Sequence, residues 1–216
     1  MVEDGNGGAI QQTATITITG ADDAPTIGGI VNGSVTEDVL VDEDGNLVAQ
    51  GTLTVTDPDI GEDSFQAGTD IQGTYGSLDI DSSGNWTYRV DNNLEAIQSL
   101  ATGELLPDSV EVASFDGTVQ TINITISGTN DGPVLSGPAP QVTASEDDAV
   151  IFDLLGGVVD PDTSDALSVD ASSVMAVSGD ASGVVINTNG TLSISPDAYA
   201  ALPVGSEEVI TYSYMV

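Results

Sequence analysis

A single arginine, Arg89, stands against 35 aspartate and glutamate residues in this sequence. Histidine is absent, and the formal net charge is −34 over 216 residues. No fold can neutralise such an excess with internal ion pairs. A compact state therefore repels itself unless salt or bound cations screen it. Calcium is the natural counter-ion, because it takes about six to eight hard oxygen ligands. The same imbalance excludes two classes of partner. Phosphate recognition needs Lys and Arg, so nucleic acid is excluded, and an anionic membrane surface is excluded for the same reason.

The chain is nevertheless composed to fold. Hydrophobic residues make up 39%, too many for a disordered acidic tail. Val, Ile, Leu and Thr dominate and aromatics are only 4%, a mixture that favours strands over helices. Without Cys or His, zinc, haem, iron–sulfur and copper sites lose their usual ligands. Nucleophilic triads built on His or Cys are impossible. The absence of Cys leaves the redox compartment open. No apolar run approaches the ~20 residues of a membrane span, so membrane insertion is not expected. No signal-peptide pattern opens the sequence, and its first residues read as loop, as in an excerpt from something longer.

Internal repetition sets the domain organisation. Residues 122–134, INITISGTNDGPV, echo residues 16–27, ITITGADDAPTI. The step from Pro25 to Pro133 is 108 residues, from Glu37 to Glu146 it is 109, and from Asp57 to Asp160 it is 103. A period of that length is too long for a solenoid turn and fits a complete sandwich domain in tandem. The expected division is residues 1–23 as the last strand of a preceding repeat, 24–131 as a complete repeat, and 132–216 as a second repeat lacking its final strand. Period-two alternation predicts strands over 13–19 and 121–127. Further strands are expected over 51–56, 76–80, 85–90, 109–115, 149–154, 184–187, 191–195 and 207–215. A short helix is expected over 93–100, with a counterpart turn over 197–202. Many short strands with turns about every ten residues argue for an all-β chain of tandem Greek-key β-sandwiches.

Three acidic constellations recur in both repeats. The first is the boundary set Asp22 and Asp23 before Pro25, and Asn130 and Asp131 before Pro133, where proline stops the ladder. The second is Glu37 and Asp38, matched by Glu146 and Asp147. The third is Asp57-Pro58-Asp59, matched by Asp160-Pro161-Asp162, in which proline fixes a turn that aims both carboxylates to one side. Asp and Asn favour turns and caps in any case. The recurrence of the whole set in register is what favours calcium over that plainer reading. Asp42-Glu43-Asp44-Gly45-Asn46 resembles half a calcium loop but lacks the bidentate Glu downstream, so a hairpin turn is the better reading. Arg89 is expected to partner a carboxylate.

Residues 24–131 resemble the VCBS repeat of bacterial RTX-type adhesins. The segments that carry the resemblance are GSVTEDVLVDEDGNLVAQGTLTVTDPD, GTYGSLDIDSSGNWTYRVDN and FDGTVQTINITISGTNDGPV. Residues 132–216 resemble a bacterial cadherin-like repeat, less closely. The resemblance implies immunoglobulin- or cadherin-like sandwiches in secreted, extracellular or cell-surface arrays that bind calcium and hold an adhesive tip away from the cell. The spacing of the boundary acids and the later Asp-x-Asp pair is similar to that of cadherins, where such residues meet calcium at a domain junction. On that basis Asp131, Glu146, Asp160 and Asp162 are expected at one junction, and Asp23, Glu37, Asp57 and Asp59 at the one before it.

The expected function is a calcium-stiffened structural or adhesive repeat module of a secreted bacterial surface adhesin or extracellular filament. Its expected partners are the neighbouring repeats of its own array. A carbohydrate- or ligand-binding module is the alternative, with Trp86, Tyr88, Tyr75 and Phe65 as a stacking face, although strand aromatics are more often core. A two-carboxylate glycosidase needs a cleft, for which a sandwich of ~100 residues has little room, so no enzyme is expected. Self-association is also expected. Residues 3–20 read as the strand that the second repeat lacks, and residues 9–20 of one molecule would fill the groove of the next.

Overall fold

The computed structural model describes residues 2–3, 6–7 and 9–216. A small antiparallel hairpin joins β1 (Val2–Glu3) to β2 (Ala9–Ile10). The first unit runs through β3 (Thr26–Gly29), β4 (Asn32–Thr36), β5 (Asn46–Thr56), β6 (Gly68–Gln72), β7 (Ser77–Ile80) and β8 (Asn85–Asp91). It continues through the one-turn helix α1 (Glu95–Gln98), β9 (Leu105–Ala113) and β10 (Val119–Ser127). The second unit holds β11 (Val134–Leu135), β12 (Val150–Asp153), β13 (Val158–Val159), β14 (Met175–Ser178), β15 (Val184–Ile186) and β16 (Thr191–Ile194). A 3-10 turn over Pro196–Ala198 then leads to β17 (Thr211–Ser213).

Alternating side chains explain the first unit. In β10, Ile122, Ile124 and Ile126 point inward and are at most 1% exposed. β10 sits in the middle of a three-stranded sheet, antiparallel to β9 and parallel to β4. The facing sheet has the order β3-β5-β8-β7-β6 and is antiparallel throughout. Between them lies one core, which includes Leu47, Leu53, Leu78, Trp86, Tyr88 and Ile97. Trp86 presses against Gly51, where a Cβ would stand 2.4 Å from the indole, so only glycine fits. The indole Nε1 donates to the Ile30 carbonyl at 2.9 Å. Trp86, Tyr88 and Phe65 are at most 3% exposed. They are core residues and offer no sugar-stacking face.

Inside this unit one carboxylate serves as a fastener. Asp108 is 5% exposed. It accepts from the Tyr88 hydroxyl at 2.6 Å and from the amides of Thr74, Tyr75, Gly76 and Ser109. Burial pushes its pKa up, but the Tyr88 hydroxyl and the loop amides outweigh that and hold it below the usual value.

The second unit repeats the β5-β8-β7 order as β12-β16-β15. Its core is small: Leu154, Val174 and Leu192 are buried, with Phe152, Val169, Val184, Tyr212 and Tyr214 only partly covered. The predicted strands at 121–127, 85–90 and 191–195 are present as β10, β8 and β16. The helix shortens to Glu95–Gln98, and the strand expected over 207–215 shortens to β17. The strand expected over 13–19 does not form: residues 11–25 carry no secondary structure, because no neighbouring strand in the chain reaches them. The fold as a whole is a tandem of all-β sandwich domains.

Replacing Asp108 by Ala strands the buried Tyr88 hydroxyl and four part-buried amides, and should destabilise the first unit by about 3 kcal/mol. Chemical unfolding followed by Trp86 fluorescence measures it. A loss below about 1 kcal/mol would show that the network contributes no more than an ordinary hydrogen bond.

A candidate metal centre at the domain junction

Strand direction decides which acids meet. Because β4 runs parallel to β10, with Thr36 opposite Ser127, both strands finish at the end of the sandwich that faces the second unit. The Glu37 amide donates to the Ser127 carbonyl at 2.9 Å. Gly128 then lets the chain leave β10 tight against Leu100 and Ala101, where any Cβ would stand 2.2 Å from the Leu100 carbonyl. This brings the Thr129 amide to Glu37 Oε2 at 3.2 Å. Gln98 of α1 donates from Nε2 to Glu37 Oε1 at 3.0 Å. Asp38, in the left-handed region at φ 56°, is held by a reciprocal pair with the Asn92 side chain.

The second unit approaches from the other side. Its Asp160-Pro161-Asp162 turn is closed by the Asp162 amide donating to Asp160 Oδ1 at 3.1 Å. Asp162 Oδ2 accepts the Asp131 amide at 2.9 Å, which ties the linker to the turn. Thr163 donates from its amide and hydroxyl to the Ser99 carbonyl just past α1, each at 3.3 Å. Carboxylate oxygens of Glu37, Asp38 and Asp131 lie within 4.8 Å of one another, and so do those of Asp160, Asp162 and Asp165.

The electrostatics of this cluster are unfavourable as it stands. Glu37 is 0% exposed and Asp162 is 1% exposed. Asp162 Oδ1 is buried without a hydrogen-bond partner. Burial pushes the Glu37 carboxyl up, and the Thr129 amide pulls it down. The charges of Asp131, Asp38 and Asp162 push it up further, to about 7. Burial and the charges of Asp38, Asp162 and Asp160 raise Asp131 as well. An all-oxygen donor set with an orphaned buried carboxylate oxygen fits a hard divalent cation.

The upstream end of the first unit repeats half of this arrangement. The Asp23 amide donates to Asp59 Oδ2 at 2.8 Å, as Asp131 does to Asp162. The Asp59 amide donates to Asp57 Oδ1 at 2.8 Å, as Asp162 does to Asp160. Asp22, Asp59 and Glu62 bring carboxylate oxygens within 4.8 Å of one another, and Asp57 Oδ2 is buried without a partner.

The grouping of acids differs from the expected one. Glu37 does not meet Asp23, Asp57 and Asp59; it joins Asp38 and Asp131 at the opposite end of its own sandwich, where the Asp131 amide is tied to Asp162. Glu146 and Asp147 do not meet Asp131 either. Both are exposed, and the Asp147 amide donates to Ser145 Oγ at 3.3 Å. The cause is the parallel β4–β10 pairing, which sequence register between repeats does not reveal. Asn130 is exposed and donates from Nδ2 to the Asp131 carbonyl at 2.7 Å. Sequence reasoning missed Gln98, Thr129, Glu62 and Asp165. Glu62 and Asp165 each stand three residues after the Asp-Pro-Asp turn, a spacing that could have found them. Nothing in the sequence marks Gln98.

The loop at Asp42 is a hairpin turn. Asp42 Oδ1 accepts from the amides of Asp44 and Asn46, as Asp81 Oδ1 does from Ser83 and Asn85. Arg89 Nη1 pairs with Asp79 at 2.8 Å with both side chains nearly half exposed, where an ion pair contributes little.

The family profiles that match the chain agree with this architecture. Residues 22–128 match the family profile of a bacterial cadherin-like domain, and residues 129–212 match that of a cadherin-like domain. No curated protein matches the chain. Among solved structures, the chain is similar to one titled "Ca2+-stabilized adhesin helps an Antarctic bacterium reach out and bind ice". That likeness has 16% identity and a TM-score of 0.23, and covers 89% of this chain and 48% of the other. The chain thus spans about half the length of that protein. Among the described residues, no helix is long and apolar enough to cross a membrane.

Glu37 holds its proton more tightly in the folded chain, where its pKa is about 7, than at its ordinary value of 4.5. Its contribution to metal-free stability is therefore largest below the lower value and falls as pH rises through the window between them. In chelator, the thermal midpoint of the wild type should fall relative to Glu37→Gln across that window. Parallel pH curves for the two proteins would contradict this assignment.

Proposed function

We propose that this chain, which carries two cadherin-like domains in tandem, is a calcium-stiffened structural and adhesive repeat module of a secreted or cell-surface bacterial adhesin. One observation carries the reading. Glu37, fully buried at the end of the first unit, meets Asp38 and Asp131 of the linker within 4.8 Å, and the Asp131 amide is held by Asp162 of the second unit, whose Oδ1 is buried without a partner. Calcium bound there would take carboxylates from both sides and turn their repulsion into a clamp. Asp38 and Asp160 stand beside it as further donors, and Gln98 and Thr129 orient Glu37.

The upstream set of Asp22, Asp23, Asp57, Asp59 and Glu62 supplies the equivalent donors of a second junction. A preceding repeat would add the counterparts of Glu37 and Asp38. Glu146 and Asp147 would play that part toward a following repeat. Neighbouring repeats are thus the natural partners. The resemblance of residues 24–131 to VCBS repeats points to an RTX-type array. The acids gather at the ends of the sandwiches rather than in a cleft, which favours a joint over a catalytic site.

Melting the chain in calcium at about 10 mM, above the ~0.1–1 mM dissociation constants of extracellular modules, and again in excess chelator tests the reading. Calcium should raise the midpoint, because it binds the native state; identical midpoints would refute a calcium site. Joint rigidity needs a separate measurement. Asp160→Ala combined with Asp162→Ala should broaden the distribution of inter-domain distances seen by small-angle scattering in calcium, with both units still folded. An unchanged distribution would remove the turn from the clamp.

A further inference from the structure

The chain enters the first unit at one end of the sandwich and leaves it at the other. At the entry, Thr26 of β3 pairs with Thr56, the last residue of β5, and the Asp23 amide is held by Asp59 just beyond. At the exit, Ser127 of β10 stands opposite Thr36, the last residue of β4. β5 returns from the exit end to the entry end, so β3, antiparallel to β5, runs in the same sense as β4 and β10. Tension carried by the chain therefore pulls β3 and β4 one way and β10 the other.

β4 and β10 are paired at five successive positions, from Asn32 opposite Asn123 to Thr36 opposite Ser127. The Asn123 amide closes one end of this ladder on the Val31 carbonyl, and the Glu37 amide closes the other on the Ser127 carbonyl, each at 2.9 Å. Parallel strands drawn in opposite senses along their own axes slide, and the evenly spaced bonds between them are loaded together. Strands drawn apart from one shared end break their bonds in turn. The core side of the pair also resists sliding. Val35, Ile124 and Ile126 are 7%, 1% and 0% exposed. At Gly33 a Cβ would stand 2.8 Å from Ile124 Cδ1 and 3.0 Å from the Trp86 ring, so β4 is seated hard on the core. β3 holds less well: it has four residues, two of them glycine, and pairs with β5 alone.

We propose that the parallel β4–β10 pair is a mechanical latch, which gives the first unit a load-bearing function under tension along the chain. The unit stays folded until the whole ladder gives way and Ile124 and Ile126 are dragged from the core. The latch is made of backbone bonds and apolar side chains, with no carboxylate in it. It therefore goes beyond the calcium reading and stands apart from it.

Constant-force measurements on the full chain in chelator test it. The sequence has no Cys, so introduced cysteine pairs define the pulling points. Gly20→Cys with Gly137→Cys grips the unit from its two ends, at positions where a Cβ meets nothing within 4 Å. Glu43→Cys with Gly137→Cys, also at exposed positions, grips it from the exit end alone and peels β4 from β10. At one force, the lifetime in the first geometry should exceed that in the second by at least about tenfold, the equivalent of about 1.4 kcal/mol and of little more than one hydrogen bond of the ladder. Ile126→Val in β10 and Ile80→Val in β7 each remove one carbon from a side chain at most 3% exposed, and should lower the thermal midpoint alike. Forced unfolding follows the unfolding rate, so under end-to-end tension Ile126→Val should shorten the lifetime several-fold and Ile80→Val should not. Equal lifetimes in the two geometries overturn the proposal, as does an Ile80→Val chain that fails as fast as Ile126→Val. Because chelator is present throughout, neither result bears on the calcium site, whose own test is the shift in melting.

Discussion

Carboxylates held face to face by their own backbone are the constraint on which this molecule depends. The amide of Asp131 is committed to Asp162, and the amide of Asp162 to Asp160. The same two bonds recur upstream, from Asp23 to Asp59 and from Asp59 to Asp57. These bonds fix where the side chains stand without neutralising them. The lone arginine is spent on Asp79, on the face of a sheet away from either cluster. The fold therefore builds anionic corners that protein groups cannot satisfy, and a hard cation is what such a corner accommodates.

The two units meet that requirement from unequal positions. The first has a continuous core from Val35 to Ile126, pinned by Trp86 and by the Tyr88–Asp108 bond. It holds Glu37 buried beside other charges through the Thr129 amide after β10 and the Gln98 side chain of α1. The second unit buries only Leu154, Val174 and Leu192 in its central cluster. Its order rests more on what it leans against, the first unit through Asp131 and Thr163. Stiffness in such a tandem is a property of the joints more than of the modules.

Much of this was legible in the sequence, and the gaps have physical causes. Period-two alternation located β10, because Ile122, Ile124 and Ile126 all face one core. The recurrent Asp-Pro-Asp located the turns at both junctions, because proline and Asx hydrogen bonds act locally. The placement of Glu37 was not legible. Its position in the repeat matches Glu146, but which end of the sandwich it reaches depends on the parallel pairing of β4 with β10, a contact between residues far apart in the chain. Gln98 was hidden for the same reason, being an ordinary helix residue until α1 folds over Glu37. The segment over 13–19 shows the converse. Its pattern is that of a strand, but a strand exists only where another provides its hydrogen bonds, and here none does.

The central claim is that one cation joins Glu37, Asp131 and Asp162 across the junction. Crystals of the chain grown with calcium, and again with a lanthanide in its place, give the most direct measurement through anomalous scattering. The account predicts an anomalous peak within coordination distance, about 2.3–2.6 Å for calcium, of carboxylate oxygens from all three residues. A well-ordered junction with no peak there, or one in which Glu37 points away from Asp131 and Asp162, would contradict it.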